Sequence, residues 1–184
     1  NSGNVNLVQL YNSKTNQWVQ ATPYPGKPVF GHAGGIVANK ILICDGVAIK
    51  VHENAKRSYQ NEPSCYLGII DQTQPSKIDW RVIKHPTNNA RYRMAAVGIE
   101  NKQQIVFIGG SENPYNYNGI GYNGKPSQPS DEIWLYDLKQ HKWQVRKSKV
   151  ATMDHRGLLL LNNELLTLGG MAADQQVLNT VNFY

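Results

Sequence analysis

The chain has 184 residues, 40% of them hydrophobic, enough for one sizeable core, and a formal net charge of +6. No apolar run approaches the roughly 18 residues of a membrane helix, so no membrane-spanning helix is expected. The 19 Lys and Arg residues are scattered, with no run of five, and read as solvated surface rather than as a nucleic-acid groove.

Residues 5–11 alternate and are β-prone, residues 12–16 supply a polar turn, and Trp18-Val19 resumes a strand. Pro23, Pro25 and Pro28 forbid a central strand and mark a connection. Strands are then expected over 31–37 and 41–44, ending at Asp45-Gly46, where the glycine supplies a permissive backbone. A long connection over about 50–64 leads to strands at 65–71 and 80–84. The next set falls near 94–99 and at 105–108, followed by a polar loop from Ser111 to Ser130 and by strands containing Tyr136 and Trp143. The last set covers 156–161, 165–168 and 181–184. Its four leucines at 158–161, bounded by Gly157 and Asn162-Asn163, fit a doubly buried inner strand better than a helix core.

Two independent markers keep one period. Trp18, Trp80 and Trp143 are 62 and 63 residues apart, and Gly46, Gly110 and Gly170 are 64 and 60 apart. Tyr11 and Tyr136 each stand seven residues before a Trp. Such a period signals a repeat architecture. The order of apolar strand, glycine doublet, loop, strand with Tyr, turn and Trp resembles the kelch repeat over nearly the whole chain. Asp45, in place of the first glycine, and Ile70, where Tyr is expected, depart from it. The resemblance implies an all-β fold, a kelch-type β-propeller of four-stranded antiparallel blades. About three blade periods of a six- or seven-bladed ring are expected: two strands over 1–20, whole blades over 29–84 and 91–147, and three strands over 153–184. That makes thirteen strands of a partial propeller, to be completed by a missing segment or a second chain.

In such a blade the loops joining the fourth strand to the next first strand, and the second to the third, emerge on one face. His32, Arg91, Arg93, His155 and Arg156 stand at the first-strand starts and are expected to converge on one mouth. Tyr115, Tyr117, Asn118 and Tyr122 overhang it from the long loop. Guanidinium forks match carboxylates, and Tyr and Asn suit the faces and hydroxyls of a sugar. The expected partner is therefore a small anionic or sugar ligand, or a protein segment, with neither nucleic acid nor membrane.

The kelch resemblance implies a binding module or, alternatively, a sugar-active enzyme similar to bacterial N-acetylneuraminate epimerases (mutarotases). The enzyme would need a general base, for which Asp154 and Glu112 are candidates. Copper radical oxidases of the galactose oxidase type share the resemblance, but no arrangement matching their cross-linked Tyr and copper ligands is visible. No cofactor and no metal are expected. His52, His85 and His141 sit in separate loops without ligand spacing and read as exposed polar positions. There is no Gly-x-Ser-x-Gly elbow, and the glycines at 119–124 follow a polar loop rather than a strand, unlike a dinucleotide fingerprint. The recurring Trp residues read as blade packing; Trp134 does not recur. Cys44 and Cys65 fall in neighbouring strands and are expected as two buried thiols ahead of a cross-strand bridge. The many Asn residues form no Asn-x-Ser/Thr site, which leans against a eukaryotic secreted protein; a bacterial periplasmic or extracellular setting is expected, with a cytoplasmic one left open.

Overall fold

A computed structural model describes residues 3–54 and 56–184, which form fifteen β-strands and no helix. Strands β1 (Val8–Asn12) and β2 (Gln17–Ala21) pair as a hairpin. Strands β3 (Ala33–Val37), β4 (Lys40–Cys44), β7 (Cys65–Ile70) and β8 (Ile78–Ile83) form an antiparallel sheet in that order. Between β4 and β7 the chain makes a separate hairpin, β5 (Val47–Val51) with β6 (Arg57–Asn61). A second four-stranded sheet holds β9 (Ala95–Ile99), β10 (Gln104–Ile108), β11 (Ser130–Asp137) and β12 (Lys142–Thr152). Strands β13 (Leu159–Leu161), β14 (Glu164–Leu168) and β15 (Val181–Phe183) make a three-stranded sheet. Sheets of consecutive antiparallel strands following one another along the chain define a partial β-propeller.

The core explains the unbroken apolar runs. Along β10 alternate side chains face opposite ways. Ile105 and Phe107 pack with Leu42, Leu67 and Trp134, whereas Val106 and Ile108 pack with Ala95, Ile99 and Leu158. A strand buried on both faces has no polar side to show, so the sequence reads as continuous apolar residues. Successive first strands approach closely. A Cβ added at Gly98 would stand 1.9 Å from Ile36 O, so β9 can lie against β3 only if residue 98 has no side chain.

The recurring Trp residues fasten one sheet to another. The Trp80 indole N–H donates to Thr22 O at 3.3 Å and that of Trp143 to Lys84 O at 2.7 Å, each a carbonyl from the preceding sheet's end of the chain. Tyr11–Trp18 and Tyr136–Trp143 are directly opposed cross-strand pairs, with ring centroids 5.0 and 4.8 Å apart. Trp134 is buried and donates to Glu132 Oε2 at 2.9 Å.

Four expectations are corrected. The connection at 50–64 contains the β5–β6 hairpin, which starts at Val47. The residue opposite Trp80 is Gly68, not Ile70, and Tyr24 supplies the missing aromatic contact at 5.9 Å. Cys44 and Cys65 are opposed across β4 and β7 and joined by a disulfide of 2.07 Å. Of the leucine run, Leu158 is buried, but the three residues of β13 are exposed. Strand β13 packs against β9 and its sheet partner β14, and its three leucines remain at the surface.

Candidate functional site

One backbone device, used three times, builds the mouth. Phe30, Tyr92 and Met153 each make an isolated antiparallel bridge to the residue just after a glycine end: Val47, Ser111 and Met171. The next residue is left-handed in all three places: Gly31 at φ 66°, Arg93 at 57° and Asp154 at 65°. Non-glycine residues resist this conformation and hold it only where the surroundings over-determine it. Here Arg93 and Asp154 restrain each other, Arg93 Nη1 donating to Asp154 Oδ1 at 2.6 Å. Neighbouring entrances are also tied by backbone. Arg93 N donates to Gly31 O at 2.8 Å, and His155 N donates to Arg93 O at 3.3 Å.

These entrances enclose a funnel of about 640 Å3. Its polar lining is His32, Arg93, His155 and Arg156, and its apolar wall includes Phe30, Ile41, Ile43 and Met94. Arg93 is held as a fixed donor: its guanidinium lies 4.9 Å from the Tyr92 ring centroid and 5.3 Å from that of Tyr115. Burial opposes its charge, but Tyr92 and Asp154 more than offset this and raise its pKa above the ordinary value. Burial pushes the Tyr92 phenol up to about 12 and Tyr115 higher still. Both hydroxyls are buried without a hydrogen bond of good geometry, although Arg93 lies beside them.

Arg156 is exposed and only loosely held, Nη1 lying 3.4 Å from Asp154 Oδ1. His155 is buried, its Nε2 bonded to Thr152 Oγ1. Burial lowers its pKa, Arg156 adds to the effect, and Asp154 opposes it. His32 is exposed toward the funnel, yet enough protein surrounds it to lower its pKa by desolvation. Both imidazoles are therefore mainly neutral at pH 7. The charge of the mouth is then that of two guanidiniums and one carboxylate, a surplus of one positive charge.

Of the nine residues expected at this site, four line the funnel: His32, Arg93, His155 and Arg156. Tyr115 backs it from behind Arg93. Tyr122 stacks on Tyr59 at 3.6 Å and is within electrostatic reach of Arg93 and Tyr92. The other three stand elsewhere. Arg91 is engaged by Glu132 at 2.9 Å and Glu112 at 3.3 Å, away from the lining. Tyr117 is 89% exposed, and Asn118 spends its Oδ1 on the turn, accepting from Ile120 N at 3.2 Å. Glu112 likewise stands outside the lining. Sequence reasoning missed Phe30, Tyr92 and Tyr59. The signal for Phe30 and Tyr92 was their shared place three residues before a first strand.

A second polar cluster corrects the reading of His85 as exposed. His85 is buried, with Nε2 2.7 Å from Asp45 Oδ1, while Asp45 Oδ2 accepts from Arg91 N at 2.7 Å. Its Nδ1 accepts from Asn88 N at 2.8 Å, so the proton lies on Nε2 and is donated to Asp45. Burial pushes the Asp45 pKa up, and the bonds from His85 and Arg91 pull it back. The residue that replaced a glycine thus adopts the glycine's left-handed shape (φ 65°) and ties its sheet to the next entrance. Asp45, Cys65 and His85 bring one donor atom each within 4.8 Å of one another, but Cys65 is in the disulfide and the other donors are engaged. As they stand they do not form a metal site.

The strand order and the shared mouth define the class as a partial β-propeller with a positively charged funnel. No family model and no curated protein matches the chain. Among solved structures it is similar to one titled "Structure of YjhT", with a TM-score of 0.68 at 17% identity over 96% of this chain. At that identity the likeness shows the fold. The match spans 48% of the other chain, so the present chain covers about half of that structure's length.

Proposed function

We propose that this chain belongs to a kelch-type propeller binding module whose funnel takes a small carboxylate-bearing ligand, with an acidic sugar as the class. One observation carries the proposal: Arg93 and Arg156 share a single carboxylate, Asp154, and leave one positive charge in excess inside a cavity. A carboxylate entering there meets a guanidinium already fixed between two rings and a second that can turn from Asp154 to the ligand. The apolar wall of Phe30, Ile41, Ile43 and Met94 offers the C–H face of a sugar ring a surface that a bare anion would not use.

Calorimetric titration with N-acetylneuraminate, its neutral methyl ester and galactose tests this reading. The acid should bind at least about tenfold more tightly than the ester, a difference of about 1.4 kcal/mol. Arg156→Ala and Arg93→Ala should remove that preference. Equal affinity for all three, or no binding, would overturn it.

An acidic-sugar mutarotase is the second reading, favoured by one observation. His32, neutral at pH 7 and open to the funnel, is a better general base than Asp154, which two guanidiniums engage. A polarimetric mutarotation assay on the protein and on His32→Ala separates catalysis from binding. The Cys44–Cys65 bridge supports an oxidising compartment, periplasmic or extracellular. Further blades, from the same polypeptide or a second chain, would close the ring, and solution mass with the bound partner's identity tests that.

A further inference from the structure

A polar groove runs between the two long excursions of the rim, separate from the funnel. One wall is the β5–β6 hairpin, and the other is the loop at 111–125. Two contacts fasten them. Asn61 Nδ2 donates to Glu112 O at 2.6 Å, and the Tyr59 and Tyr122 rings lie face to face at 3.6 Å and 7°. The opening between the walls is about 440 Å3, within the rough 300–1,000 Å3 range of small-ligand sites. We propose that this groove binds a neutral saccharide of one or two pyranose units.

The chemistry of the lining carries the proposal. Both tyrosine rings border the groove and offer aromatic surface to the C–H face of a sugar. The amides of Asn61, Asn113 and Asn123 and the Ser58 hydroxyl provide donors and acceptors side by side, as neighbouring sugar hydroxyls require. These amides are held in fixed orientation. Asn113 Nδ2 donates to Asn123 Oδ1 at 3.2 Å and to Lys125 O at 3.1 Å, and Asn123 Oδ1 also accepts from Lys125 N at 3.0 Å. Asn61 Oδ1 is a buried acceptor with no partner in a residue that lines the groove. Arg57 is the one charged side chain among the described residues lining the groove, and it has a partner of its own. Selection of a neutral sugar here rests on hydroxyl geometry and ring stacking. The site stands whether or not the funnel takes an anion.

The test is calorimetric titration and saturation-transfer NMR of the full chain with N,N′-diacetylchitobiose, cellobiose and lactose. At least one should bind saturably. Asn123→Ala, an exposed position, should weaken it about tenfold, equivalent to about 1.4 kcal/mol, with the melting curve as a control of folding. Arg156→Ala should leave it unchanged. The proposal is overturned if none of the three sugars binds saturably, or if binding survives Asn123→Ala intact. Loss of binding in Arg156→Ala would likewise overturn it by moving the sugar to the funnel.

Discussion

Removing the Cys44–Cys65 bridge tests the register of the first four-stranded sheet and the base of the hairpin excursion together. The two residues are separated by 21 positions. In the chain-entropy account, cross-linking a loop of that length removes about 3 kcal/mol of freedom from the unfolded chain. For a protein of this size each kcal/mol shifts the melting temperature by about 2–4 °C, so the double variant Cys44→Ala/Cys65→Ala should melt about 6–12 °C lower. The bridge also closes the chain where β5–β6 leaves the sheet, so the variant should loosen the hairpin and weaken the Tyr59–Tyr122 stack. The assay is thermal unfolding by circular dichroism on protein purified under oxidising conditions, with thiols counted after denaturation without reductant. Two titratable thiols in the parent protein, or a melting shift under about 2 °C, would rule out a stabilising Cys44–Cys65 bridge.

Other substitutions follow from the same geometry. Gly98→Ala drives a methyl group against the Ile36 carbonyl and should cost about 1–3 kcal/mol or more, whereas Gly157→Ala, with nothing within 4 Å, should be close to neutral in the same melting assay. Asp45→Ala leaves the His85 and Arg91 donors without their acceptor, at about 1–3 kcal/mol each; Asp45→Gly should cost less, because glycine accepts the left-handed backbone freely. His155 has a lowered folded-state pKa, so between that value and the ordinary imidazole value the unfolded chain binds more protons. Its contribution is present above the unfolded pKa of about 6.5 and is lost as pH falls through this window. Melting temperature should therefore fall on acidification below pH 7, less steeply in His155→Gln. Acid should act oppositely on the ligand, since protonating His32 adds positive charge to the funnel and strengthens carboxylate binding until the ligand itself protonates.

The repeat was legible because each marker has a backbone or packing reason to recur. Glycines stand where the chain is left-handed, and Trp143 and Trp80 reach carbonyls of the preceding sheet. The convergence of Arg93, His155 and Arg156 followed from topology alone. What stayed hidden depends on pairing across space. Opposition of Cys44 to Cys65 is a matter of register, and register is set by contacts that spacing does not display. Asp45 looked like an imperfect repeat because its partners, His85 and Arg91, are 40 and 46 residues away. Arg91 and Arg93 are equivalent as residue types. Spacing does not show that Glu132 and Glu112 engage Arg91 while Arg93, in the left-handed entrance position, pairs with Asp154. The β5–β6 hairpin was available in principle, since Val47, Ile49 and Val51 alternate, but its polar second strand carries little apolar signal.

Successive first-strand entrances bring separated arginines to one mouth, and the proposed function makes that mouth anion-selective. A crystal structure of the chain soaked with N-acetylneuraminate tests it most directly. The carboxylate should lie within hydrogen-bond distance of the Arg93 and Arg156 guanidiniums. A carboxylate found beside Arg91, on the opposite face, or nowhere in the funnel would contradict it.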